Sequence, residues 1–324
     1  VSIHEIKRRM TQASLTRMFL KEFEAYCELR QKEVGVNITQ LTVNKFWRVF
    51  RYLTEYTKLE YKKDDLPLPF INHEYIYGFK IFLQTHHNCK NNGAVNLLKA
   101  LRNFILYSMR NDWIEKNPMR DIKMKEEVTE VRAHLTKAEL EGIIAKEMPN
   151  ERLERVRDVF IFCCLTGLAF TDADHLSKAH IVRDDEGNVW IHKPRQKTSI
   201  MSVIPLLPYA RQILEKYSID AECAENGKLL PICSNQRMNS YLKEIATICN
   251  INKLLTTHCA RHTFACVAIE YGMPIETIAK ILGHTKVQMT RHYARLSDGA
   301  ILRDMVKLNE RMQLNDGITL KKAQ

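Results

Sequence analysis

Apolar residues recur at helical spacing through the first third of the chain. Phe19, Phe23 and Tyr26 form one stripe. Val43, Phe46, Trp47, Phe50 and Leu53 form a second, with Thr42 as its expected cap. Ile76, Phe79 and Leu83 form a third, and Leu97, Leu101, Phe104 and Ile105 a fourth. Positions three and four apart share one helix face. Residues 15–120 therefore predict four amphipathic helices with short polar connections, a small bundle. Residues 1–14 are polar and basic, carry no stripe, and read as a linker or tail. A charged stretch, IKMKEEVTEVR, contains no stripe either. It places a domain boundary, with the connection over residues 121–133 and a second domain over 134–324.

The second domain opens on Thr136, with Glu139 three residues on, the spacing of a capping box. Residues 156–164 are a strongly apolar helix that Gly167 can end, and Asp172 and Asp174 begin the next turn. Residues 177–206 are the clearly β part. The DDEGN turn signal at 184–188 separates strands, and 189–197 can pair with 201–205 as a hairpin across 198–200. Further helices are expected over 209–217 and 238–249; Asn239, Tyr241 and Lys243 on the latter give a weak signal of DNA contact. Thr256 or Thr257 caps a helix reaching residue 271, with Gly272 as its stop. Phe264, Val267, Ala268 and Tyr271 are its expected core face. Pro274 opens one more helix, with Ile275, Ile278, Ala279 and Leu282 buried and Gly283 as its end. A last helix over 300–313 has Ile301, Met305, Leu308 and Met312 at helical spacing, either folding onto its own domain or packing in trans. The fold class is mainly α with a small β-hairpin or sheet, in two domains.

Charge narrows the class. The chain has 324 residues, with 49 Lys+Arg against 38 Asp+Glu and a formal net charge of +11. This balance fits a nucleic-acid binder. Lys45, Arg48 and Arg51 lie on the second helix away from its stripe, and Lys99 and Arg102 do likewise on the fourth. Singly each reads as solvated charge; together they suit phosphate contact along a duplex. Nine cysteines are scattered, with no C-x-x-C. That pattern fits free thiols in a reducing cytoplasm and provides neither a disulfide framework nor a metal site. No long uncharged apolar run suggests a membrane span.

The chemistry concentrates in residues 256–296. His258 and Arg261 are i and i+3, so both project from one side of a first helical turn. His284 follows Gly283, and Tyr293 stands beyond it among Arg291, His292 and Arg295. Arg and His donors can neutralise charge developing on phosphate oxygens. A tyrosine hydroxyl can attack phosphorus and hold it covalently. Its ordinary pKa of about 10 demands cationic neighbours. A lone H-x-x-R is more often an incidental pair on a core helix. The linked series H-x-x-R, L-G-H and Y is far less common by chance.

This series resembles the active-site region of the tyrosine recombinase (phage integrase) family, and in detail that of integrases of Bacteroides conjugative and mobilisable elements. The resemblance covers nearly the whole chain. It implies a SAM-like core-binding domain over the first helices, closing in WIEKNP, and a catalytic domain opening on L-T-x-x-E-L. Related integrases carry an additional small N-terminal DNA-binding domain before this point, so the chain is expected to be either a fragment or a shorter relative. The roles it implies are Tyr293 as nucleophile, with His258, Arg261 and His284 around the phosphate. Lys197, within QKTS, is the general acid for the departing 5′ oxygen. The sequence departs from the family at TGLAFTDADHL, where Ala169 stands in place of a catalytic arginine. Arg195 lies two residues before Lys197. On a strand, i and i+2 share a face, so Arg195 is the candidate substitute.

The expected function is a site-specific integrase that cleaves and rejoins DNA through a 3′-phosphotyrosyl link, integrating or excising a mobile element without metal, ATP or cofactor. Expected partners are double-stranded core or attachment sites, further copies of the chain in a tetramer on DNA, and an accessory DNA-bending protein. The expected setting is the bacterial cytoplasm and nucleoid. An invertase or resolvase, a type IB topoisomerase-like enzyme, and a catalytically impaired DNA-binding paralogue are the alternatives.

Overall fold

The four stripes of the first half fold as α1 (Phe19–Lys32), α2 (Gln40–Tyr61), α3 (His73–Thr85) and α4 (Asn91–Arg110). The structure is a computed structural model describing residues 17–127, 133–291, 293 and 304–310. Its two compact units are Val1–Thr129 and Glu130–Gln324. The expected tail at 1–14 lies outside the described residues.

In the first unit the stripes meet in an aromatic core. Phe23 and Phe104 pack edge to face with ring centroids 4.8 Å apart, an arrangement worth about 0.5–1.5 kcal/mol beyond burial. The buried Tyr75 hydroxyl is paired with Thr57 Oγ1 at 2.6 Å. Helix α1 has no cap of its own. Asp65, far along the chain, accepts from Leu20 N at 2.8 Å and from Lys21 N at 3.1 Å. Helix α2 begins earlier than expected: Thr39, with extended backbone, is the N-cap, and Thr42 lies within the first turn with its hydroxyl 3.1 Å from that of Thr39. Met119 and Ile122 are buried in this core. Asn92 Nδ2 donates to the Glu127 carbonyl and Asn91 Nδ2 to that of Lys125, which ties this stretch to the start of α4.

The second unit contains α5 (Lys137–Ala145), α6 (Glu151–Thr166), α7 (Phe170–Asp174), β1 (Ile181–Arg183), β2 (Val189–Pro194), β3 (Met201–Pro205), α8 (Pro208–Lys216), α9 (Ala221–Glu225), α10 (Asn235–Ile248), α11 (Thr257–Glu270), α12 (Ile275–Ile281) and α13 (Gln288–Arg291). The C-terminal half of α6, residues 159–164, is apolar all round because it is enclosed: Phe160, Ile161 and Phe162 are each buried, and α8, α10 and α11 pack around the helix. A helix buried on every side needs this composition. Gly167 ends it in the left-handed region at φ 69°.

The sheet is antiparallel in the order β1-β2-β3, and Ile191 pairs with both Ile181 and Ile204. Strand β2 stops at Pro194, three residues short of expectation. Beyond it Arg195 N donates to Ile200 O and Ser199 N to Arg195 O, so residues 196–198 form the hairpin turn. Proline has no N–H to extend a ladder. Strand alternation therefore does not relate Arg195 to Lys197.

The expected core face of α11 is also revised. Ala268 is buried, but Phe264 and Val267 are only partly covered and Tyr271 is 63% exposed. The deepest positions are Cys259, Ala260, Arg261, Thr263 and Ala265. Small residues are needed there because α6 crosses closely on one side and the apolar cluster of Ile278 and Leu282 lies on the other. Residues 304–310 are helical, with Met305 and Leu308 exposed. Ile301 and Met312 lie outside the described residues. None of the described helices is long and apolar enough to cross a membrane.

The capping box at α5 is complete: Glu139 N donates to Thr136 Oγ1, and Thr136 N to Glu139 Oε2. Thr136→Ala should lower stability by about 1 kcal/mol, read as a lower urea midpoint with an unchanged slope.

Candidate active site

Arg261 is a deeply buried charge of the second unit, 4% exposed. Thr256 caps α11 by accepting from Cys259 N, which sets the first turn from which Arg261 projects. The guanidinium has two carbonyl partners: Nη1 donates to Gly167 O at 2.7 Å and Nη2 to Leu282 O at 2.5 Å. Gly167 is the C-cap of α6 and Leu282 that of α12. Helix C-termini present unsatisfied carbonyls and the negative end of the macrodipole. They hold the cation without neutralising it. Burial, then the neighbouring Arg195, pushes the Arg261 guanidinium down to about 10, while the Tyr293 phenol and Asp172 oppose that shift.

Arg195 approaches from the hairpin. Its Nη1 donates to Gly283 O at 3.3 Å, and its Nε lies 3.6 Å from Asp172 Oδ2. That Nε is buried and has no hydrogen-bond partner among the described residues. Asp172 Oδ1 accepts from Gln196 N at 2.8 Å, so one carboxylate, itself 2% exposed, fixes both the turn and the guanidinium. Gly283 is required by contact. At φ 59° it takes a conformation that favours glycine, and a Cβ there would stand 2.6 Å from Arg195 Cδ and 2.7 Å from Ser202 Oγ. Ala169 is the N-cap of α7, three residues before Asp172. Lys197 sits exposed in the turn.

His284 follows Gly283, with Nδ1 2.8 Å from the hydroxyl of the fully buried Thr290. Burial first, then Arg261 and Arg195, pushes its imidazole down to about 4, so the ring is neutral near pH 7. Thr290 also accepts from Tyr293 N through its carbonyl at 3.0 Å. One residue thus orients His284 and anchors the turn carrying Tyr293. The Tyr293 phenol lies close enough to act on the Arg261 guanidinium, favouring its charged form. Its ring lies 6.2 Å from that of His284, nearly parallel, and 4.6 Å from that of His262 at 67°. His258, exposed on the first turn of α11, packs its ring 4.9 Å from that of His262.

The tertiary structure thus brings Arg261, Arg195, His284 and Tyr293 together from α11, the hairpin, the end of α12 and the segment after α13. His258 joins through His262, while Lys197 stands on the hairpin turn two residues from Arg195. His292 and Arg295 lie outside the described residues. Sequence reasoning missed Asp172, His262 and Thr290 as site residues. Asp172 and Thr290 carried no signal beyond residue type, because their partners are distant in sequence or on another element. His262 could have been found, since it follows Arg261 and is i+4 from His258.

In the first unit, Arg48, Arg51, Lys99 and Arg102 are exposed. Lys45 Nζ donates to Asn96 Oδ1 at 3.0 Å, which joins the basic faces of α2 and α4. Lys99 is paired with Glu126. A separate cleft of about 330 Å³ is lined by Arg152, Arg155, Arg237 and Tyr241 among others, and by none of the residues around Tyr293.

Comparison with known proteins is consistent across both units. The Phage integrase family profile matches residues 133–299, and the Phage integrase SAM-like domain profile matches residues 18–128. The chain is 26% identical to tyrosine recombinase XerC of Rickettsia typhi over 44% of its own length, and it spans about half (48%) of that relative. It is 23% identical to tyrosine recombinase XerD of Lacticaseibacillus casei over 67% of this chain and 77% of that one. The fold is shared with the Tn1549 transposon integrase solved with a circular-intermediate DNA, at TM-score 0.69 and 17% identity, over 90% of this chain and 100% of that one.

His284 has a pH consequence. Its folded-state value of about 4 lies below the usual 6.5. Between these values the unfolded chain binds a proton that the folded chain refuses, so stability falls as pH drops from about 6.5 towards 4. Urea unfolding at several pH values should show a flatter decline in His284→Asn than in the unsubstituted protein.

Proposed function

The chain belongs to the phage integrase family, and from that premise we propose that it is a site-specific tyrosine recombinase that integrates or excises a mobile element. The observation that carries this reading is the convergence of Tyr293 with two buried guanidiniums and a neutral imidazole. Tyr293 Oη gives up its proton to solvent and attacks the scissile phosphorus, an Oη–P bond forms, and the P–O5′ bond breaks to leave a 3′-phosphotyrosyl link. Arg261, Arg195, His284 and His258 hold the non-bridging oxygens as charge builds on them. Lys197, on the exposed turn, donates its proton to the departing 5′ oxygen. A 5′-hydroxyl of a partner strand then attacks the link and takes the reaction in reverse, so bond energy is conserved covalently.

Arg195 supplies the guanidinium absent at Ala169. Support comes from its coupling to the same two groups, Arg261 and His284, and from the carboxylate and carbonyl that hold it in place. Lys45, Arg48, Arg51, Lys99 and Arg102 contact backbone phosphates of the duplex. The partners are double-stranded core or attachment sites in the bacterial cytoplasm, further copies of the chain assembled as a tetramer on DNA, and an accessory protein that bends the site. The Tn1549 integrase was solved on DNA, which supports a duplex as partner. Ala169 favours one second reading, a DNA-binding relative without cleavage.

A nicked duplex that traps the cleaved strand separates the two readings. The unsubstituted protein should form a covalent adduct, and Tyr293→Phe none. Arg195→Ala should slow adduct formation on the order of 10²–10³-fold, the loss expected for one oxyanion donor. Cleavage by Arg195→Ala at the unsubstituted rate would remove Arg195 from the site. No adduct in any variant would leave the non-cleaving relative. On an intact duplex, Arg48→Ala should reduce the slope of log affinity against log salt by about 1.

A further inference from the structure

Tyr293 is held by its backbone and by its ring. Tyr293 N donates to the carbonyl of Thr290. Two rings flank the phenol. The His284 ring is nearly parallel but 6.2 Å away, whereas the His262 ring is in closer contact at 4.6 Å and 67°. Tyr293 also packs against the small apolar cluster of Ala265, Ala268, Ile278 and Leu282.

His262 is placed for that task. It is half-buried and adjacent to Arg261, whose backbone is fixed in the deepest part of α11. His258, one turn earlier, packs its ring against that of His262 at 4.9 Å. His258, His262 and Tyr293 therefore form a continuous run of rings that begins on a rigid helix and ends on the nucleophile.

We propose that His262 is a positioning residue for the nucleophile: its imidazole is the wall against which the Tyr293 ring rests, aiming the phenolic oxygen at the phosphate held by Arg261 of the same chain. The contact is one of ring shape, with His262 acting through Tyr293 and exchanging no proton in the step. The inference rests on the recombinase reading given above and adds cleavage in cis to it. A nucleophile misplaced by about 1 Å can cost on the order of 10²-fold in rate.

The test combines cleavage with a readout independent of cleavage. With 3-fluorotyrosine incorporated, the ¹⁹F resonance of Tyr293 is the one missing from Tyr293→Phe. In His262→Ala that resonance should move, and adduct formation on the nicked duplex should slow by about 10- to 100-fold with duplex affinity unchanged. His262→Phe, which retains a ring, should recover most of the rate and leave its pH profile unaltered. An unmoved resonance, cleavage by His262→Ala at the unsubstituted rate, or a His262→Phe variant as slow as His262→Ala would each overturn the inference while leaving the recombinase reading intact. Absence of an adduct in the unsubstituted protein would overturn both.

Discussion

The second unit is arranged around a buried guanidinium that is never neutralised. Taking an arginine out of water carries a desolvation cost of several kcal/mol unless partners replace the solvent. A carboxylate would be the usual partner, but it would cancel the charge that a phosphate is to meet. Arg261 instead donates to the carbonyls of Gly167 and Leu282, at the ends of α6 and α12. These helix ends need donors, so each side satisfies the other. Burial still leaves the charged form less favoured than in water, which primes the group for an anion.

That constraint explains the neighbouring backbone. For two helices to end on one side chain, the chain must turn tightly where they stop. Gly167 does so at φ 69°, against Phe264 and Leu282, where a Cβ would stand 2.7 Å and 2.8 Å from side-chain carbons. Gly283 does so against Arg195. The second guanidinium then reaches the same place from a different element, and Asp172 keeps it there by accepting from Gln196 N and facing Arg195 Nε. One carboxylate for two cations leaves the pocket positive. Burial first, and then this excess charge, keeps His284 neutral, so it can donate a hydrogen bond without adding repulsion.

The first unit needs no such arrangement. Its core is ordinary aromatic packing, and the basic faces of α2 and α4, joined at Lys45 and Asn96, lie on the opposite side of the same helices from that core. In the second unit the core contacts and the buried Arg261 fall on one helix, α11, which explains its small buried residues and modest apolar stripe.

The chain alone determined the helices of the first half, because periodicity of apolar side chains is a local property that survives any later packing. It also determined Gly167 as a helix end, the box at Thr136 and Glu139, and the linked motif of His258, Arg261, His284 and Tyr293. Phage integrase family membership was legible from that motif. Only the tertiary structure decided where β2 stops, since Pro194 and the turn closing at Ser199 outweigh the strand pattern through Lys197. It alone placed Asp65 as the cap of α1, Asp172 beside Arg195, and Thr290 beneath His284, because hydrogen bonds between distant segments leave no trace in spacing. It also turned the expected core face of α11 outward at Tyr271: periodicity reports which residues share a face, while the neighbours on each side decide which face is buried.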